Sequence, residues 1–433
     1  MNEVAVGCIA LGVLLILFLT GMELAFAMII IGFAGFAYLR GIDASTALVA
    51  RDLFNAFTSY TFTVIPLFVL MGQAALNSGM AEKMYATTRK FVGHMPGGLA
   101  LATVIGASLF KAISGSTLAT AATFSGVAIP EMDRYGYSRK LSTGVVASVG
   151  TIGCLIPPAG NLIIFGMITE QSIGKLFIAG IVPGIMMAIF FLLTIVCWVM
   201  INPSLAPKGP KFGWSERLRG IPLIIWPLII FCIVIGGLLM GYFTPTEAGS
   251  VGSIAVLALT MGAGDLGFRQ FVKSVTESVR MACMVLMLIA GSTVLGHLVE
   301  LSKIPAVTAS WVLGLHFPPL VILCLIIFIY LLGGSFMDDL AFMILATPIF
   351  YPIALKLGFD PIWFAIIIAV SLMIGIIIPP VALAVFIVKS VTKESIWVVY
   401  AGVTPFLIAL FAGLGLLFVF PGIATWLPNL MMK

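Results

Sequence analysis

The chain of 433 residues is 61% hydrophobic and only 9% charged, against roughly 25% charged for a typical soluble domain. That composition excludes a water-soluble enzyme or a nucleic-acid-binding protein and leaves a polytopic membrane protein. The net charge of +5 then carries information about topology, and the length suits roughly ten spans of about 20 residues each.

The chain opens on MNEVAVGCIALGVLLILFLTGMELAFA, which imitates a signal peptide through its apolar core and the small residues Ala25 and Ala27. It lacks a basic leader region and runs straight into a second apolar stretch, so a retained span is expected. Apolar runs near 4–20, 24–39, 55–77, 96–130, 141–169 and 176–200 form a first half. INPSLAPKGPKFGWSERLRG, 201–220, is the only long polar interval and reads as a cytoplasmic linker. Runs near 221–240, 246–263, 279–298, 304–355, 361–391 and 396–420 form a second half.

An internal repeat with an offset of 222 residues relates the halves. His94 and Pro96 match His316 and Pro318, and Pro130 and Gly136 match Pro352 and Gly358. GCLIPP at 153–158 matches GIIIPP at 375–380, and Gly180 and Pro183 match Gly402 and Pro405. The expected domains are a first repeat at 1–200, with scaffold helices over 1–95 and a hairpin and broken helix over 96–170. A second repeat at 221–433 has scaffold helices over 221–305, a hairpin and broken helix over 306–391 and a last helix over 396–420.

The segments 96–130 and 317–355 are too long for one span and carry SGS (114–116) and GGS (333–335) near their middles. A Gly-Ser turn flanked by polar residues predicts a re-entrant hairpin, because irregular backbone at membrane depth persists only where protein or a watery cavity satisfies it. Each half then crosses five times. The fold class expected is an all-α polytopic membrane protein with an inverted repeat of two halves, each about five transmembrane helices plus one re-entrant hairpin. With the N-terminus outside, fourteen Lys and Arg fall on the inner side and six, including Lys433, on the outer, in the sense of the positive-inside rule.

Pro157-Pro158 and Pro379-Pro380 remove backbone donors inside apolar runs and break their helices. The freed carbonyls and half-helix ends are suited to hold an ion or a substrate carboxylate, with a structural kink as the alternative. The tips SGSTLAT and GGSFMDD add hydroxyls and carbonyls that suit a hard cation. Ser335 and Asp338 also fit an S-x-x-D capping box. Adjacent helical residues point about 100° apart, so only one of Asp338 and Asp339 is expected to face a site. Asp338 is assigned inward and Asp339 to the exposed tip beside the aqueous pathway.

Asn161 offers both donor and acceptor to a bound carboxylate, or a helix–helix hydrogen bond. Lys111 either attracts an anion, pairs with an acid or reaches toward water. Glu23 and Glu247 each begin a span and are expected to cap it. The six cysteines are scattered without C-x-x-C and read as packing residues. GAGDLG, 262–267, follows a membrane span rather than a strand, so a dinucleotide site fails on context. An intramembrane enzyme built on Asp338 would need a second acid or nucleophile opposite, and the repeat mate offers only Ser and Thr.

Together SGSTLATAATFSGVAIPEMDRYGYSRKLSTGVVASVGTIGCLIPP, ITEQSIGKLFIAGIVPG, YFTPTEAGSVG, DPIWFAIIIAVSLMIGIIIPP and GVTPFLIAL resemble the large membrane (M) subunit of tripartite ATP-independent periplasmic transporters, the TRAP family. The resemblance implies an elevator-type secondary transporter of the bacterial inner membrane, driven by sodium ions and without an organic cofactor. It implies a small membrane (Q) subunit and a periplasmic substrate-binding (P) protein as partners, with surrounding membrane lipid and no nucleic acid. Substrates of such systems are small organic anions, usually carboxylates and sometimes sulfonates. By motif position, Ser114, Gly115 and Ser116 with Gly150 and Gly153 would form one sodium site, and Gly333, Gly334 and Ser335 with Met373 and Gly375 another. Substrate would meet Pro157, Pro158, Asn161, Asp338, Pro379 and Pro380.

Three positions depart from the family pattern: Ala159 in place of a Ser, Ala382 in place of a Gly, and Asp339 doubling an acid that is normally single. A sodium/organic-anion symporter working without a binding protein is the alternative reading.

Overall fold

The computed structural model describes residues 3–304, 307, 310 and 317–431; His316 of the repeat pattern and Lys433 of the charge pattern lie outside them. Nineteen α-helices and no strand occur among the described residues. Helix closes every backbone hydrogen bond within one segment, as an apolar chain without water requires.

The first half contains α1 (Glu3–Leu19), α2 (Leu24–Arg40), α3 (Ile42–Thr58), α4 (Val64–Asn77), α5 (Met80–Val92), α6 (Gly98–Ser114), α7 (Thr117–Arg134), α8 (Arg139–Val149), α9 (Gly160–Thr169) and α10 (Ile173–Ile201). The second contains α11 (Trp214–Leu239), α12 (Pro245–Gly262), α13 (Phe268–Leu301), α14 (Pro319–Phe336), α15 (Asp339–Lys356), α16 (Pro361–Gly375), α17 (Leu383–Thr392), α18 (Ile396–Val419) and α19 (Gly422–Met431). Among the described residues, seven segments are long and apolar enough to cross a membrane: α4 with the 3-10 turn before it, α10, α11, α13, α14, α15 and α18. The chain is a multi-pass membrane protein.

Both interrupted segments fold into helical hairpins. Between α6 and α7, Gly115 ends the first arm at φ 64° and the Ser116 hydroxyl accepts from Ala119 N at 3.3 Å. A residue without Cβ takes the left-handed conformation at little cost, and the hydroxyl satisfies one of the orphan amides at the new helix start. The second turn falls later than the sequence suggests. Asp338 caps α15 by accepting from Leu340 N at 3.2 Å. Ser335 stays in the last turn of α14, with its hydroxyl donating to Leu332 O at 2.8 Å. The expected capping box is therefore absent, because a carboxylate immediately before the helix already satisfies its first amides.

Two helices are broken as expected. α8 passes through a 3-10 turn, Gly150–Cys154, to Pro157-Pro158 and restarts as α9, while α16 breaks across 376–382 and restarts as α17. Both Pro–Pro bonds are cis. The polar interval 201–220 is only partly a linker: Gly213 precedes α11, whose first turns carry Arg217 and Arg219. Good helix formers there extend the span into water. The remaining strand of linker is tied down by Ser138 N to Leu205 O at 2.8 Å and Gly209 N to Gly93 O at 3.0 Å. Glu247 caps α12 as expected, and does so in a capping box with Thr244. Glu23 occupies the N-cap of α2, but its side chain makes no capping bond.

Helix starts recur at the sequence offset, α7 with α15 and α8 with α16, and the ends of the first pair recur as well. Packing recurs with the halves exchanged. α2 lies on α13 and α12 on α4; α7 lies on α17 and α15 on α9; α8 lies on α18 and α16 on α10. Some of these approaches require glycine. A Cβ on Gly144 of α8 would collide with the Gly402 carbonyl of α18, and a Cβ on Gly402 would lie 3.0 Å from Gly144 Cα. These obstructions are backbone and cannot rotate away. Gly144→Ala is accordingly expected to destabilise by about 1–3 kcal/mol, the usual cost of overpacking. Gly12→Ala, which meets nothing within 4 Å, should be neutral or slightly stabilising; thermal unfolding of the purified chain in detergent compares them.

Candidate functional site

The hairpin tips and the first helix break converge on a buried polar cluster. Lys111, in the last turn of α6, is fully buried, so its ammonium does not reach water. The end of its side chain lies on Gly153, where any Cβ would collide with it. Its Nζ is 3.5 Å from Thr117 Oγ1, and Thr117 Oγ1 is 3.4 Å from Asp339 Oδ2. Asn161 Nδ2 donates to the same carboxylate oxygen at 3.1 Å, and Cys154 Sγ lies 3.3 Å from it. A threonine hydroxyl accepts from the ammonium and donates to the carboxylate, so the buried charges compensate each other through one oxygen.

This geometry reverses the assignment of the two aspartates. Asp339 is 4% exposed and held in the interior, whereas Asp338 is the half-buried cap of α15. The expectation that only one of them faces a site is not met: both border the same cavity, with Asp339 the more deeply buried. Asp339 belongs to the second half, and Lys111, Thr117, Cys154 and Asn161 all belong to the first. Thr117 and Asp339 are 222 residues apart, so equivalent positions of the repeat meet each other.

Beside this cluster lies a cavity of about 290 Å³. One wall is polar: Ser114, Gly115, Ser116 and Thr117 of the first tip, Pro158, Gly160 and Asn161 at the start of α9, and Asp338 and Asp339 of the second tip. The opposite wall comes from α4 and α13 and is apolar, with Phe68, Leu76, Met281, Met284 and Val285 among its residues, except for Gln73. The N-termini of α7 and α9 also border the cavity, presenting the positive ends of two helices.

Of the residues picked out in the sequence, Ser114, Gly115, Ser116, Pro158, Asn161 and Asp338 come together in the cavity wall. Pro157 is buried behind Pro158 in the chain, Gly150 packs against Ala121 and the Thr117 carbonyl, and Gly153 is covered by Lys111. In the second half, Gly334 lies against Leu372 and Gly375, Ser335 O accepts from Ala382 N at 3.0 Å, Met373 is buried and Gly333 faces the Phe342 ring. Pro379 and Pro380 are exposed and outside the cavity wall, where the Tyr400 hydroxyl donates to Pro380 O at 3.0 Å. The expected meeting of both breaks at one pocket is thus not found: Asp339 draws the second tip onto the first break, and the second break stays behind it.

Gln73, Thr117 and Cys154 were not singled out by their sequence context. The first is a lone amide in an apolar run, and the second occupies the repeat position of Asp339. Cys154 is buried, while the other five cysteines are exposed rather than packed inside. Removing either charge alone strands the other. Lys111→Met and Asp339→Asn are each expected to cost about 3–5 kcal/mol, whereas the double variant recovers more than half of that loss. A double-mutant cycle on thermal stability in detergent measures this; single variants as stable as the parent would refute the pairing.

A profile of the family described as "Tripartite ATP-independent periplasmic transporter, DctM component" matches residues 11–423. The C4-dicarboxylate TRAP transporter large permease protein DctM of Pseudomonas aeruginosa is 35% identical over 387 residues, 89% of this chain and 90% of that protein. The sialic acid TRAP transporter large permease protein SiaM of Vibrio cholerae is 32% identical, covering 96% of this chain and 97% of its own. The isethionate TRAP transporter permease protein DctMQ of Oleidesulfovibrio alaskensis is 33% identical over 84% of this chain and 58% of its own length. In fold alone, the crystal structure of the Alcanivorax borkumensis YdaH transporter is similar, with a TM-score of 0.64 at 15% identity over 89% of this chain and 90% of that one. With the profile spanning nearly its whole length and full-length relatives above 30% identity, this chain belongs to the DctM family of tripartite ATP-independent periplasmic transporters, as a membrane transport subunit rather than an enzyme.

Proposed function

We propose that this protein is the large membrane subunit of a sodium-coupled importer of small organic acids. It works by an elevator movement in the bacterial inner membrane, with the N-terminus on the periplasmic side. The observation that carries the reading is the cavity between unlike walls. Hairpin tips and the broken-helix start supply its polar face, and α4 and α13 supply an apolar face. A polar group can slide along an apolar wall without leaving hydrogen bonds unmade on that wall. The hairpins and broken helices, 96–170 and 306–391, form the carrier in this reading, and 1–95 and 221–305 form the scaffold. The exchanged packing of the two halves supports an inverted repeat, the arrangement that lets one site face either side in turn.

Relatives named for C4-dicarboxylates, sialic acid, isethionate and 2,3-diketo-L-gulonate support an organic acid as cargo. The fused DctMQ relative supports a small membrane subunit as partner, and the family description supports a periplasmic one. That partner, a substrate-binding protein, delivers the acid. For the coupling ion, the second tip offers the better oxygens. The Ser335 hydroxyl donates to Leu332 O and so keeps its lone pairs for a cation, with Gly334 and Gly375 backbones in contact beside it. At the first tip, Ser114, Ser116 and Gly150 remain candidates, whereas a cation at Gly153 would meet the Lys111 ammonium.

Proteoliposomes holding this chain, its small subunit and the binding protein test the reading. An inward sodium gradient should drive uptake of the cargo acid, and a potassium gradient should not. Uptake by the chain alone would instead favour the stand-alone symporter. Ser335→Ala is expected to raise the sodium concentration for half-maximal uptake several-fold, and an unchanged sodium activation curve counts against an ion at that tip.

A further inference from the structure

The wall of the cavity carries more acceptors than donors, and two of those acceptors lack the partner their chemistry calls for. Among the described wall residues there is no Lys, Arg or His. Lys111 lies behind the wall, fully buried and engaged with Thr117 next to Asp339, so it compensates Asp339 and offers nothing to a ligand. Asp338 has no such counterpart. It faces the backbone amides of Leu340 and Ala341 and touches the Asp339 carboxyl, an acid like itself, and none of the ion pairs among the described residues includes it.

The second acceptor is on the opposite wall. Gln73 is 8% exposed, and its Oε1 is buried without any hydrogen-bond donor. The orientation of its amide follows from its neighbour: Nε2 faces Met281 Sδ at 3.1 Å. A thioether sulfur accepts and never donates, so the NH2 side belongs there and the oxygen is the orphan. An unpaired buried amide oxygen is costly, and an alkyl acid brings no proton to relieve it.

We propose that the solute carried in this cavity is amphoteric, an organic acid that also bears a protonated nitrogen, with the N–H donors meeting Asp338 and Gln73. The acidic end then faces the N-termini of α7 and α9, whose free amides and positive helix ends favour an anion. This deepens the organic-acid reading of the same site and rests on it. A carboxylate or sulfonate without the nitrogen would satisfy the helix ends but leave Asp338 facing an anion and Gln73 still unpaired.

Matched pairs of probes that differ only by an ammonium in place of a hydroxyl test the inference on the purified full-length chain in sodium chloride. Suitable pairs are taurine with isethionate and 4-aminobutyrate with 4-hydroxybutyrate, read as ligand-induced thermal stabilisation. The amino member of each pair is expected to act at about tenfold lower concentration, the worth of one charge-assisted hydrogen bond. Asp338→Asn should abolish that preference. Gln73→Leu should reduce it, and serves as the readout should Asp338→Asn not fold. Equal or greater stabilisation by the hydroxy members overturns the inference and leaves the organic-acid reading intact; it would mean that a sodium ion, not the solute, neutralises Asp338. An absence of stabilisation by both amino members also overturns it. Ethanolamine acting as well as taurine would remove the acid from the ligand and overturn the inference together with the organic-acid reading.

Discussion

The carboxylate of Asp339 is the constraint around which the rest of the site is arranged. It is carried into the apolar interior by the second hairpin, and the Thr117, Cys154 and Asn161 side chains that meet its Oδ2 all come from the first half of the chain. A lone charge at that depth is costly by several kcal/mol. Its position is tolerable only if the two tips, the first helix break and Lys111 stay together. The charge thereby fixes the relative placement of two hairpins that share no continuous backbone. It also gives Thr117 and Gly153 distinct duties, one as the bridging hydroxyl and the other as the surface on which the lysine chain lies.

Much of the architecture was legible because it rests on local chemistry. Proline pairs break helices wherever they fall, glycine and serine between apolar runs make turns, and apolar length sets the spans. These rules located both hairpins, both breaks and the capping role of Glu247 at α12. They failed where a choice depended on three-dimensional partners. Asp338 and Asp339 are equivalent in local sequence, and only the arrival of Asn161, Thr117 and Cys154 from the other half decides which turns inward. Lys111 was ambiguous for the same reason, since a lysine near a tip reaches water unless an acid from a distant segment stands beside it. The exposed position of Pro379 and Pro380 could not be read from a repeat that treats the halves alike.

That asymmetry has a physical origin in the charges. At the offset of the repeat, Lys111 corresponds to Gly333 and Asp339 to Thr117. One half has gained a cation and the other an acid, at positions that meet across the centre of the protein. Two similar backbones thus build one cavity against the first break rather than two equal ones. The first tip carries internal positive charge, so its demand for an external cation is lower, while the second tip keeps hydroxyl and carbonyl oxygens with no ammonium among them.

The same bookkeeping separates the two aspartates in function. Asp339, already compensated by Lys111 through Thr117 and bonded by Asn161, is suited to hold structure and poorly suited to exchange partners with a passing solute. Asp338 retains lone pairs beside the cavity, where it meets the backbone amides of a helix start and the neighbouring Asp339 carboxyl but no cation. Across from it, Gln73 is the one polar side chain on a wall otherwise built for sliding. A solute that bridges Asp338 and Gln73 would tie the tips to α4 while bound in this position, and its N–H donors would have to leave Gln73 before the tips could move along the wall. Polar contact with α4 therefore acts against translocation. A single weak amide acceptor there, in place of a charge, keeps that contact strong enough to orient a ligand and weak enough to release it.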